Sequence, residues 1–264
     1  MKSPISLTRN TPLYCTLAAA ILLLPAPASA ANNMAAIRGG SFRPLYLAAD
    51  APLSKVDNFL LDKKPVTNAQ FAAFVRQQPQ WQRGRVPAVF AEKQYLHHWV
   101  KQGKGYAPRR EDANKPVTYI SWFAAHAYCQ AQGKKLPDTL QWEYAARASS
   151  TRADGSQEAG YRQKILNWYG KASHSPMQNV GQDRANYWGV HNLHGLIWEW
   201  TEDFNNASML GGDSRNAKAA EGMFCGAGGG TADPGDYAAF MRYGFRSSLQ
   251  AKFTLNSLGF RCAK

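Results

Sequence analysis

The chain has 264 residues, 45% of them hydrophobic and 19% charged, enough apolar material for one large core or two small ones. Its formal net charge is +13, but the lysines and arginines are scattered with no arginine-rich block, which argues against nucleic-acid binding. Three of the four cysteines, Cys129, Cys225 and Cys262, lie beyond residue 30 and cannot build a disulfide framework for the whole domain, so the core rests on packing, with eight Trp, twelve Tyr and twelve Phe to fill it.

The first thirty residues read as a cleavable signal peptide. Lys2 and Arg9 form a basic start, Leu13 to Leu24 is an apolar run, and Ala28-Ser29-Ala30 is a small-residue cleavage pattern. The run is too short to span a bilayer, which takes about 20 residues. Cleavage near Ala30 predicts a periplasmic or secreted protein of residues 31–264, with no later segment able to cross a membrane. Three cysteines then remain: Cys129, Cys225 and Cys262.

Gly39-Gly40-Ser41-Phe42 opens the domain, and residues 56–65 read as extended chain. Thr67 and Gln70 form a capping box for a short helix whose apolar face is Phe71, Phe74 and Val75. Residues 78–115, rich in Pro, Gly and charge, read mostly as loop. Ser121 caps a second helix with Trp122, Ala125, Tyr128 and Cys129 on one face, and Gly133 ends it. Asp138 caps a third, with Gln141 at its third position and Trp142, Ala145 and Ala146 inside. Beyond Thr151 long periodic runs are few, and short strands are predicted near residues 197–201, 240–247 and 258–262. The predicted class is α+β, one domain, with much irregular structure.

Several segments, taken in order, resemble one family. They are Gly39-Gly40-Ser41-Phe42, Lys64-Pro65-Val66-Thr67-Asn68-Ala69-Gln70-Phe71, Pro116 to Trp122 with Ala127-Tyr128-Cys129, and Lys135-Leu136-Pro137 with Trp142 to Arg147. Asn192 to Trp200 and Leu258-Gly259-Phe260-Arg261-Cys262 complete the set. Together they resemble the formylglycine-generating enzyme (sulfatase-modifying factor) family across residues 31–264. The resemblance implies an unusual C-type-lectin-like fold with little regular secondary structure, often with bound calcium. The wording is most similar to the exported branch that includes the NirV proteins found beside copper nitrite reductase, with PvdO a more distant exported relative. The resemblance also implies a Cys129–Cys262 bridge.

Trp198-Glu199-Trp200 alternates along a strand, placing both indoles on one side and Glu199 on the other. These residues and Arg261 read as scaffold, with Glu199 tying loops together and Arg261 as a buried ion-pair partner. The family's active members hold copper(I) between two cysteines, and thiolates are soft ligands suited to it. Counting from the glycines at 228–230 and back from Arg246, those positions fall on Asp233 and Ala238, and no cysteine lies between Cys225 and Cys262. A methyl group coordinates nothing and a carboxylate prefers hard ions. Cys225 reads either as a relocated thiol, metal ligand or intermolecular bridge, or as an unreactive core thiol.

Candidate site residues are therefore Cys225, Asp233 and His194 for chemistry, with His191 and Asn167 as candidate metal ligands. His191 and His194 stand three apart and could share one side of a turn. The family's Gly-Asn-Val before the tryptophan pair is Gly195-Leu196-Ile197 here, a departure from the family's pattern at one of the calcium loops the resemblance implies. Asn167 fits the start of the other calcium loop. The sequence thus predicts an exported accessory or maturation factor acting on an exported client protein or peptide-like product. Two alternatives stand beside it: a metal-dependent oxidase with a rebuilt site, and a lectin-like binding module.

Overall fold

The computed structural model describes residues 33–44, 52–156, 158–169, 177–205, 241–242 and 244–264. The expected signal peptide, Cys225, Asp233 and Ala238 lie outside these residues. Among the described residues, no helix is long and apolar enough to cross a membrane.

The chain begins as an interrupted antiparallel ribbon. β1 (Met34–Ile37) pairs with β4 (Phe59–Asp62), and β2 (Gly40–Phe42) pairs with β3 (Ser54–Val56). β1 and β4 alternate only in part, burying Ala35, Ile37, Phe59 and Leu61 inward while Ala36 and Leu60 face out, as a half-buried sheet requires. The ribbon continues at its other edge into the C-terminal segment. Leu60 and Lys264 exchange backbone hydrogen bonds, and so do Lys135 and Ala263.

The helices follow the capping signals. α1 (Asn68–Gln77) has the full Thr67–Gln70 capping box. α2 (Trp122–Ala131) starts on Ser121, whose side chain accepts from Ala124, and Gly133 follows its end at φ +64°. α3 (Thr139–Ala146) carries a second complete box, Asp138 with Gln141. Each box satisfies two otherwise unpaired N–H groups at a helix start.

Three expectations are corrected. The 78–115 stretch is mostly irregular, but it contains a hairpin of β5 (Val100–Gln102) and β6 (Gly105–Ala107), and it drives Tyr95, Leu96 and Trp99 into the core. A helix absent from the sequence reading, α4 (Ala159–Tyr169), follows α3. The strand predicted over 240–247 is helical at residues 241–242 and 244–247. The helical turn sets Arg242 and Arg246 four apart on one face, and both reach Glu143. That buried pairing outweighs the strand preference of the local aromatics.

β7 (Trp198–Glu199) pairs in parallel with β8 (Leu258–Gly259), shorter than the predicted strands but in the same places. At Gly259 a β-carbon would sit 2.4 Å from the Val117 carbonyl oxygen and 2.8 Å from Ile197 Cδ1, so only glycine lets these three segments meet. Two apolar clusters result. One gathers α1, α2, Trp99, Ile120, Trp200 and Phe260; the other lies between the ribbon and α3, with Val190, Leu193 and Ala263. A disulfide joins Cys129 on α2 to Cys262, with Cα atoms 5.6 Å apart, across 133 positions of sequence.

Candidate functional site

Two buried carboxylates organise the centre of the molecule. Glu199 accepts from Arg261 Nε and Nη2, each at 2.7 Å, and from Trp142 Nε1 at 2.8 Å. Arg261 is fully buried and spends its other bonds on the carbonyls of Asp62 and His191, so one guanidinium fixes β4, β7 and the 191 segment together. Two parallel N–H donors on one carboxylate form the strong, geometrically specific kind of ion pair.

The second carboxylate, Glu143 on α3, receives Arg242 through Nε at 2.9 Å and Nη2 at 2.7 Å, and Arg246 Nη1 at 2.7 Å. Arg246 also lies 4.6 Å above the Trp142 ring. Burial alone would raise the Glu143 pKa. The two guanidinium charges and their hydrogen bonds outweigh it and bring the value down from 4.5 to about 2. Trp142 thus sits between the carboxylates, bonding to one and stacked under the arginines of the other.

His194 lies beside this cluster, its ring edge-on to Trp142 at 5.8 Å. Its Nε2 is 2.8 Å from the Ala146 carbonyl oxygen and 3.1 Å from the Tyr161 hydroxyl, which also donates to Ala146. A carbonyl can only accept, so Nε2 carries the proton and Nδ1 holds the lone pair. Nδ1 is buried with no hydrogen-bond partner among the described residues. Burial, and next the Arg242 charge, lower the His194 pKa from 6.5 to about 3, so the ring is neutral at any ordinary pH.

The other candidates separate. His191 Nδ1 faces Asp183 Oδ1 at 3.1 Å, and the second oxygen of Asp183 accepts from the Asn192 backbone. His191 and His194 therefore have different partners. Among the described residues, no three of His, Cys, Asp and Glu converge in a metal-binding group. Asn167 is on α4 rather than in a loop, exposed, with its Oδ1 accepting from Gln163 at 2.8 Å. Trp200 is fully buried and donates to the Ile120 carbonyl, while Trp198 is half-buried, stacked 4.2 Å from Phe245 and 5.3 Å from Trp168. The relation of His194 to Cys225 and Asp233 lies outside the described residues.

Sequence reasoning missed Glu143, Arg242, Arg246 and Tyr161. The first was in view as part of Trp142-Glu143-Tyr144, and an acidic residue between core aromatics on a helix signals a buried partner. The arginines would have been found by reading 242 and 246 at helical spacing.

Short helices, two-stranded ribbons and aromatic loops tied by buried carboxylate–guanidinium pairs define a scaffold whose surface is carried by irregular chain. The chain belongs to the family described as the sulfatase-modifying factor enzyme 1-like domain, whose model matches residues 21–264. It is 26% identical to the formylglycine-generating enzyme of Mus musculus over 267 residues, covering 81% of this chain and 68% of that protein. It is also 27% identical to the inactive C-alpha-formylglycine-generating enzyme 2 of Bos taurus over 277 residues, covering 88% and 87%. In structure it is similar to PvdO from Pseudomonas aeruginosa, with a TM-score of 0.51 at 18% identity over 87% of this chain and 93% of that one.

Proposed function

We propose that this protein is an exported accessory or maturation factor that uses the formylglycine-generating-enzyme scaffold without copper–thiolate chemistry. The cysteine inventory carries this reading. The sequence has four cysteines, and Cys129 and Cys262 are bonded to each other. A two-thiolate copper(I) site would have to be made from Cys15, inside the expected signal peptide, and Cys225. After cleavage one thiol remains, and one thiol cannot make the pair, whatever the alignment. The donor set therefore does not fit copper(I) as the family holds it.

The likeness to both active and inactive formylglycine-generating enzymes is compatible with a retained fold and altered chemistry, since function lies in the site and not the fold. Residues 1–30 as a signal peptide place the client in the periplasm or outside the cell. The lectin-like topology that the resemblance implies supplies a loop surface for that client, and the NirV-like wording points to copper nitrite reductase.

The test is twofold. The purified mature protein, incubated with oxygen, copper(I) and a cysteine-containing sulfatase peptide, yields no aldehyde above a control without protein; formation of formylglycine overturns the reading. Deleting the gene lowers the fraction of correctly matured copper nitrite reductase, and unchanged nitrite reductase removes that client. Copper bound one-to-one together with thiol-dependent oxygen uptake would instead establish a rebuilt oxidase site.

A further inference from the structure

Loop tips that face water are normally built of small and polar residues. The 85–93 loop departs from this. Arg85, Pro87, Ala88, Val89, Phe90 and Lys93 are all exposed, and Val89, at 67%, is the most exposed large apolar side chain among the described residues. The tip is a turn in which the Phe90 N–H donates to the Pro87 carbonyl at 2.9 Å. Its apolar side chains are braced from behind. The Phe90 ring meets Phe123 of α2 edge-on at 5.2 Å and Trp81 at 6.3 Å. Just beyond it Ala91 is buried, and the Glu92 N–H donates to the Lys252 carbonyl.

The unpaired charges around this tip are positive. Arg85 and Lys93 bracket it in sequence. The preceding turn packs on the β5–β6 hairpin, with the Arg83 guanidinium 4.5 Å above the Tyr106 ring. Gly105 lies so close to Gln82 that a β-carbon there would sit 2.8 Å from Gln82 Nε2, which brings exposed Lys104 beside the same turn. Arg85, Lys93 and Lys104 have no ion-pair partner among the described residues. The loop's one acid, Glu92, is engaged, its Oε2 accepting from the Thr254 N–H at 3.2 Å.

An apolar tip ringed by cations matches an anionic lipid surface, where apolar side chains enter the interface while lysine and arginine heads stay among the headgroups. We propose that the 85–93 loop docks this protein on an anionic membrane surface, Val89 and Phe90 entering the interface and Arg85, Lys93 and Lys104 meeting the headgroups. A second copy of the tip is a poor occupant, because it would set like charges against each other. A protein groove is disfavoured by size: four exposed apolar residues on one turn cover far less than the about 800 Å² per partner of a stable interface. A bilayer needs only shallow insertion, and each cation near an anionic surface adds roughly fivefold in affinity. The docking is independent of the maturation role proposed above.

Co-sedimentation of the mature protein with vesicles tests this. Vesicles of phosphatidylglycerol and phosphatidylcholine in equal parts bind it, and vesicles of phosphatidylcholine alone do not. Binding weakens several-fold as salt rises from about 0.05 to 0.5 M. Val89→Ser, at a position already mostly in water, weakens binding roughly 5–10-fold. Arg85→Glu weakens it at least about tenfold. Lys55→Glu, the same charge change at an exposed site on β3 beside the other apolar cluster, alters it less than about twofold. No binding to the anionic vesicles at low salt overturns the proposal, and a tip that serves a protein groove gives that result. Unchanged binding in Val89→Ser, or a loss in Lys55→Glu equal to that in Arg85→Glu, also overturns it, since either reduces the effect to the general attraction of a basic protein.

Discussion

Glu199 is almost wholly enclosed and holds three donors, so neither it nor Arg261 can be removed singly without stranding the other. Breaking a buried pair by deleting one partner costs about 3–5 kcal/mol. Glu199→Gln is expected to lose that much in urea unfolding, whereas Trp142→Phe, which removes one donor, loses less. Acid sensitivity follows from two other residues. The unfolded chain protonates His194 near 6.5, but the folded chain resists until about 3, chiefly because burial opposes its charge, then Arg242 and Lys164, with the Ala146 carbonyl and Glu143 favouring it. Stability from this residue is complete above 6.5 and is lost as pH falls toward 3. Glu143 adds a second loss, on the order of 3 kcal/mol, as pH falls from 4.5 through about 2. Urea midpoints measured against pH should therefore slope downward on the acid side, and His194→Leu should flatten the limb between pH 6.5 and 4 while leaving the lower one.

At the level of elements, the capping boxes make clear predictions. Asp138→Ala removes the acceptor for Gln141 N–H and is expected to cost about 1 kcal/mol, up to about 2. Glycine substitutions divide by cause. At Gly133 a β-carbon would meet nothing within 4 Å, so Gly133→Ala costs only the strain of positive φ, about 1 kcal/mol. Gly259→Ala drives a methyl into the Val117 carbonyl and should lower Tm several times more, a ranking that calorimetry on the two variants checks. The same contrast explains what the sequence revealed. α1, α2 and α3 were legible because their ends are written locally, in Thr67, Ser121, Asp138 and Gly133. α4 was not, for it has no such start and Gly160 lies in its first turn. The helical residues 241–242 and 244–247 were misread because their conformation is set by Glu143, about a hundred positions away. The β5–β6 hairpin had a local signal, Gly103 and Gly105 around Lys104, hidden by a polar composition. At the candidate site, the scaffold roles of Glu199 and Arg261 could be read from residue type. The acceptor state of His194 could not, since it depends on which carbonyl faces the ring.

For the molecule as a whole, the Cys129–Cys262 bond closes a loop of 133 positions, which in the chain-entropy model stabilises by about 4–5 kcal/mol. Replacing both cysteines by alanine should shift the urea midpoint accordingly, and so should folding the wild-type chain under reducing conditions. An unchanged midpoint would mean that packing of Leu258 and Phe260 alone holds the C-terminal segment. That segment also sets a schedule. Residues 258–263 follow in sequence almost everything they complete: they give β4 its second neighbour, Glu199 its cation and Cys129 its partner, the last two across 62 and 133 positions. A growing chain that has reached only Ser257 lacks the segment that borders β4, the cation of Glu199 and the partner of Cys129. The fold thus carries its own delay. Glu199 and Cys129 gain these partners only once residues 258–263 have been made, and chains arrested at Ser257 on the ribosome should be cut more readily by a protease than the released protein.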